Sequence, residues 1–393
     1  MSEKILFKGA TVIDGTGKEP TKADLLIQGK DILEVGSVNC ESAKVVDVSG
    51  KTIMPGIINA HVHITFESEA ADTFGTLCSR SNATIALIGK RNMLHHLRSG
   101  VTYYRDMGAP HHIDIDLRNA RGSGIIDGPE FQCAGKPITM TGGHAWRFGR
   151  ECDGLEEVRK ATREQLRAGV DLIKIIATGG VITQGVEPGA PQLTYEEICV
   201  AVEEAHKAGK KAATHAQGSR GILNAVRAGI DSVEHGIYLT DEIIEMMLQK
   251  GTYLVPTLMA PYAISKEGVA AGIPPSIVAK SDSVIGDHLA SLKRAYEAGV
   301  KIAMGTDSGT PFNHHYDSYY ELKLMIDNGM SPMDAIVCST KNAADLMGIL
   351  GRYGTLEKGK AADFLILGAT PLDDITALGH SLEQVYKLGQ LVN

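Results

Sequence analysis

Four times in the middle of this chain a run with helical character closes on alanine and then glycine. These are Arg167-Ala168-Gly169, Lys207-Ala208-Gly209, Arg227-Ala228-Gly229 and Glu297-Ala298-Gly299. Glycine just past the last helical residue accepts the left-handed conformation that ends a helix. After each comes a short apolar run, so the pattern is helix, turn, strand, repeated. Candidate strands end near His63, Asp106, Cys133, Ala177, His215, His235, Pro256 and Asp307. The clearer helices are 155–168, 195–208, 222–228, 241–249, 277–298 and 319–328, with Thr194 and Thr240 as N-caps. Eight strand–helix units over 56–354 are what a parallel (β/α)8 barrel requires. An open doubly wound sheet is the alternative, but no glycine-rich phosphate loop follows the first strand.

The two ends read differently. Residues 1–55 contain short strands such as Ile5-Leu6-Phe7, Ala10-Thr11-Val12-Ile13 and Asp24-Leu25-Leu26-Ile27, broken by Asp14-Gly15-Thr16-Gly17 and Ser49-Gly50-Lys51. Residues 355–393 resume that texture, with the strand Ala362–Leu367 and a last hairpin near 385–392. The two segments read as one discontinuous β domain with the α/β region inserted between them.

A barrel places its chemistry at the C-terminal ends of its strands, and there the residue types are unusual. The first candidate strand runs into His61-Val62-His63. Strand alternation points both imidazoles the same way, so they can share one metal ion. The fourth, Asp171–Ala177, carries Lys174 inside an apolar run. Burial lowers a lysine pKa, and a neutral amine reacts with carbon dioxide to give a carbamate, whose two oxygens can bridge metals. The fifth strand ends in His215, the sixth in His235 and the eighth in Asp307. Eight other histidines read as ordinary: His95, His96, His206 and His288 as solvated helix residues, and His111, His112, His314 and His315 as loop residues.

Composition excludes other classes. The net charge is −8 without a basic run, which argues against nucleic acid or an anionic membrane surface as a partner. No apolar stretch approaches the ~20 residues of a membrane span, and the start lacks the apolar core of a signal peptide. Six scattered cysteines form no Cys-x-x-Cys pair and read as reduced thiols of a cytoplasmic protein.

His61-Val62-His63, Lys174, Thr214-His215-Ala216-Gln217-Gly218, Glu234-His235-Gly236 and Gly305-Thr306-Asp307 together resemble the amidohydrolase superfamily of binuclear type. The flanks Asp47–Gly56 and Gly354–Asp363 resemble it too. Thr141-Gly142-Gly143-His144, Ala177–Val181 and His235–Leu239 are similar to its prolidase-like, imidazolonepropionase-related branch. The resemblance implies a (β/α)8 barrel carrying a small β-sandwich built from both termini. It implies two divalent metal ions, zinc foremost, with His61, His63 and Asp307 on one, His215 and His235 on the other, and carboxylated Lys174 between. Metal-activated water would attack the amide of an Xaa-Pro-like dipeptide or an N-acyl amino acid. Asp307 would carry the proton to the leaving amine, and His144 would donate to the oxyanion. Tyr238 and Arg220 would meet a substrate carboxylate, with Arg147 and Arg150 as further candidates. Relatives are often homo-oligomers. The rival readings are a mononuclear cyclic-amide hydrolase, which has no use for Lys174, and a non-catalytic scaffold, which would be expected to have lost ligands.

Overall fold

The computed structural model describes residues 2–392, which divide into two compact units. One comprises Met1–Asn59, Leu94–Tyr103 and Tyr316–Asn393, the other Ala60–Met93 and Tyr104–His315.

In the first unit the strands β1 (Lys4–Val12), β2 (Thr21–Gln28), β3 (Asp31–Gly36), β4 (Lys44–Asp47) and β5 (Thr52–Pro55) come from the N-terminal segment. The last three strands of the chain, Phe364–Leu367, Leu382–Lys387 and Gln390–Leu391, join them in one eight-stranded sheet. The junction is antiparallel, with Ile53 opposite Ile366 and Met54 opposite Leu365. The reason is apolar burial: Phe7, Leu25, Ile27, Ile53, Phe364 and Ile366 alternate onto one face and are at most 1% exposed. Phe7 meets Phe364 edge-on at 5.0 Å, and Phe364 stacks on Tyr386 at 4.5 Å. The final hairpin turns through Leu388 (φ +49°) and Gly389 (φ +73°), the left-handed pair that suits strand twist.

Strands β6 (Ile57–Val62) and β7 (Val101–Asp106) each pass from the first unit into the second, and with β8 (Glu130–Cys133) they form a three-stranded sheet. A six-stranded parallel sheet holds β9 (Ile138–Thr139), β10 (Arg150–Glu151), β11 (Leu172–Ile176), β12 (Lys211–Ala216), β13 (Ser232–His235) and β14 (Tyr253–Val255), in the order β10-β9-β11-β12-β13-β14. Strand and helix alternate as the sequence pattern requires, with helices at Leu155–Ala168, Tyr195–Lys207, Ser219–Arg227, Asp241–Lys250 and Pro275–Glu297. Gly169, Gly209, Gly229 and Gly299 all have φ between +67° and +93°, so the alanine–glycine closures are left-handed C-caps. Thr194 forms a full capping box with Glu197.

Two expectations need correction. Residues 301–307 are not a regular strand. Their backbone bonds to β14 through Leu254 N to Lys301 O (2.9 Å) and Ala303 N to Leu254 O (3.0 Å), and to β6 through Ala60 N to Met304 O (2.8 Å). The run then breaks ladder geometry because Asp307 turns left-handed (φ +58°) to point its carboxylate at His61 and His63. Second, His96 and His288 are not solvated, being 0% and 2% exposed. Their helices turn those positions inward, a phase that periodicity in a mixed sequence does not resolve. Further helices lie at Asn82–Arg98, Ile113–Gly122 and Met259–Glu267. No described helix is long and apolar enough to cross a membrane.

Candidate metal centre and active site

The chemistry-bearing residues converge at the C-terminal ends of the parallel strands of the second unit. In β11 the register sets Lys174 opposite Ala213 and Ile176 opposite His215, so Lys174 and His215 face the same side. Strand alternation would send Glu234 and His235 to opposite faces. His235 escapes this with φ +72°, a left-handed turn that a histidine adopts only under constraint. Both residues therefore reach His61: Glu234 through a hydrogen bond and His235 with ring centroids 5.3 Å apart.

The hydrogen bonds assign the protons. A carbonyl or carboxylate only accepts, so the ring nitrogen facing it must carry the hydrogen. His61 Nδ1 donates to Glu234 Oε2 (2.7 Å), and His63 Nδ1 donates to the Gly108 carbonyl (3.0 Å). His215 Nε2 donates to the Gly179 carbonyl (3.3 Å). The Thr257 hydroxyl donates to Pro256 O (2.6 Å), so it accepts from His235 Nδ1 (2.7 Å). The neutral rings of His63, His215 and His235 are thus each left with one bare nitrogen, while His61 turns its Nε2 towards Asp307. Burial disfavours the charged form of those three: it lowers the His63 pKa to about 4 and holds His215 and His235 well below the ordinary value.

The Nε2 atoms of His61 and His63 stand 3.3 and 3.4 Å from Asp307 Oδ1, and the three ligand atoms lie within 4.8 Å of one another. His215 and His235 pack beside this group with ring centroids 4.4 Å apart. Lys174 Nζ is buried and has no hydrogen-bond partner. Burial depresses its pKa to about 8, against the attraction of Glu234 and Asp307. A reactive amine without a partner beside bare imidazole nitrogens is the donor set a divalent metal centre needs, and the residues fit one.

Two charged residues that the sequence reading left without a role hold this arrangement. Arg105, 1% exposed in the middle of a strand, donates from Nη2 to Glu234 Oε1 (2.8 Å) and from Nε to Ala60 O (2.6 Å). The Ser232 hydroxyl donates a second bond to Glu234 Oε1 at 2.6 Å. Burial would raise the Glu234 pKa, but Arg105 and His61 outweigh it and bring the carboxyl down to about 2. The other is Asp106, which accepts from Ile64 N (2.7 Å) and Gly108 N (3.0 Å), fixing the carbonyl that orients His63. The available signal was the pair Arg105-Asp106 closing an otherwise apolar and aromatic strand.

A cleft of about 380 Å³ opens over these groups, walled by Phe66, Phe74, Phe148 and Met107. A contiguous lobe of about 390 Å³ is lined by Val181, Ile237, Pro261 and Ile264. His144 lies between the two, with its ring 4.3 Å from that of His215 and its Nδ1 2.7 Å from the Thr183 hydroxyl. Burial lowers its pKa to about 3. The structure thus brings His61, His63, Lys174, His144, His215, His235 and Asp307 to one cleft. It does not bring Tyr238 or Arg220 to the lining. Tyr238 packs partly buried against the Val181–Ile237 cluster, and Arg220 is exposed. Arg150 is paired with Glu164 at 2.8 Å.

The sequence matches the amidohydrolase family over residues 52–392. It is 30% identical to ochratoxinase from Aspergillus niger, in an alignment covering 98% of this chain and 86% of that protein. Among solved structures, a Xaa-Pro dipeptidase with methionine bound in its active site superposes with a TM-score of 0.90 at 30% identity, covering all of both chains. A prolidase complexed with N-methylphosphonate-L-proline gives 0.91 at 30% identity over 99% of each. Family match and whole-length likeness agree with a cleft furnished for carbonyl chemistry: the chain belongs to the amidohydrolase family and is a hydrolase acting on amide bonds.

Proposed function

We propose that this protein is a metal-dependent hydrolase of dipeptides or N-acyl amino acids. The observation that carries the reading is the cluster of His61, His63 and Asp307, whose ligand atoms lie within 4.8 Å of one another, beside the buried Lys174 amine that has no hydrogen-bond partner. His61, His63 and Asp307 would hold one divalent ion, His215 and His235 a second, and Lys174, as its carbamate, would lie between them. Zinc is the foremost candidate, because neutral imidazole and carboxylate are ligands it favours. The metal supplies Lewis acidity to the scissile carbonyl and lowers the pKa of water from ~15.7 towards ~7. The two parallel sheets are read as a closed (β/α)8 barrel, supported by the backbone bonds that residues 301–304 make to β14 and β6. The terminal strands are read as its β-sandwich.

The residues then divide the work. Asp307 accepts the proton of the attacking water and returns it to the leaving nitrogen. His144, neutral and with its Nδ1 engaged by Thr183, presents Nε2–H to the developing oxyanion. The aromatic and aliphatic walls on either side of His144 favour apolar groups flanking the scissile amide and exclude water from it. The relatives' names support this class: a Xaa-Pro dipeptidase, a prolidase bound to a proline phosphonate and ochratoxinase.

The test joins metal analysis to a substrate library of dipeptides and N-acyl amino acids, each paired with its carboxamide. We expect about two ions per chain, preferential hydrolysis of the free acids, and loss of metal and activity in Lys174→Ala. One ion per chain with activity only on cyclic amides would move the protein to the mononuclear reading.

A further inference from the structure

Outside the metal-facing cleft lies a larger cavity of about 720 Å³, which shares Phe74, Ala145 and Ile182 with it. The loop that sets His144 in the cleft continues directly into Trp146 and Arg147, both of which line the outer cavity, with Pro274 and Ile277 opposite. Trp146 is the single tryptophan of the chain and is 44% exposed. The Arg147 guanidinium lies 5.8 Å from the centre of the Trp146 ring. Among the described residues no carboxylate pairs with Arg147, whereas Arg150 nearby is bound to Glu164. The only other charged group on the lining, Asp72, already accepts from Gly75 N (2.9 Å) at a helix start, where its charge is offset. An uncompensated guanidinium beside an exposed indole combines two recognition elements: a charge-assisted, bidentate grip on a carboxylate and an aromatic face.

We propose that this outer cavity is a second subsite, one that takes an anionic aromatic group, namely a carboxylate bearing an aryl substituent, carried by the substrate or released with the product. The inference deepens the amide-hydrolase reading and rests on it only for the link to turnover. Binding itself stands independently. Continuity with the cleft through Phe74, Ala145 and Ile182 lets a single extended ligand reach both cavities.

The single tryptophan provides the assay. The metal-loaded protein is titrated with 4-phenylbutyrate, its neutral analogue 4-phenylbutyramide and the non-aromatic hexanoate, and Trp146 emission is followed with excitation at a wavelength none of them absorbs. The expected result is a saturable change with 4-phenylbutyrate and binding about tenfold weaker for each of the other two, on the scale of one charge-assisted contact. Arg147→Gln keeps the fluorophore and should erase the preference for acid over amide. No saturable change with 4-phenylbutyrate would overturn the proposal. So would equal affinity for all three compounds, or an acid preference that survives Arg147→Gln, which would place the carboxylate at the metal centre instead. A protein that shows the Arg147-dependent binding yet cleaves no dipeptide or N-acyl amino acid would refute the substrate reading and leave the subsite intact.

Discussion

At the scale of the residue, the centre depends on protons being in the right places. Asp307 is the one group that is both a candidate ligand and a base, so Asp307→Asn should separate the roles. An amide cannot accept the proton, and turnover should fall by about 10²–10⁴-fold, while elemental analysis finds most of the metal still bound through the histidines. Near-normal turnover in that variant would end the proton-transfer role. Glu234 acts through His61, whose Nδ1–H it accepts at 2.7 Å. Glu234→Gln keeps an acceptor but removes the charge, and metal affinity measured by chelator competition should drop about 10–100-fold. Arg105→Met is a different lesion. It strands the ionised Glu234 carboxylate in the interior, and breaking such a buried pair costs about 3–5 kcal/mol. Combining Arg105→Met with Glu234→Gln should recover most of that loss in urea unfolding. If the double variant is no more stable than Arg105→Met alone, the pair is not what Arg105 serves.

At the scale of the element, the capping box at Tyr195–Lys207 illustrates what a sequence displays. Thr194 accepts from Glu197 N (3.3 Å), and Glu197 Oε2 accepts from Thr194 N (2.7 Å). Thr194→Ala should lower stability by about 1 kcal/mol, and Thr194→Ser should restore nearly all of it. A thermal midpoint for Thr194→Ala equal to that of the parent would show that tertiary packing alone holds this end. Caps, glycine closures and strand alternation are local, so they could be read directly, and with them the strand ends that carry His61, His63, Lys174 and His215. What could not be read is non-local. The left-handed turns at His235 and Asp307 re-aim side chains against alternation, and nothing in their neighbours announces it. Arg105 and Glu234 are 129 residues apart, and their pairing exists only once the strands are assembled.

At the scale of the whole molecule, buried carboxylates give folding stability a pH dependence that can be signed. Asp114, in the first turn of the Ile113–Gly122 helix, accepts from Gly135 N (2.7 Å) and Ile115 N (2.9 Å) and has no exposure. Burial pushes its pKa up to about 6, against the pull of those bonds and of His112 and Arg118. Asp106, buried nearby, is likewise raised by burial and by Asp114, while Tyr104 and Cys133 in the same surroundings are kept neutral by burial. Arg118 is directed mainly to Asp171 (2.5 Å) and so compensates Asp114 only in part. A carboxyl whose folded pKa exceeds its unfolded value keeps a proton that the unfolded chain has lost. Its contribution is therefore fully present below pH 3.8 and is lost as pH rises through about 6. Asp114→Asn keeps an acceptor and cannot ionise. Its urea midpoint relative to the parent should rise between pH 4.5 and 7, with both proteins kept metal-free so that metal release does not enter. Midpoints that stay parallel across that range would show that Asp114 is already ionised in the folded protein and that its two backbone donors outweigh its burial.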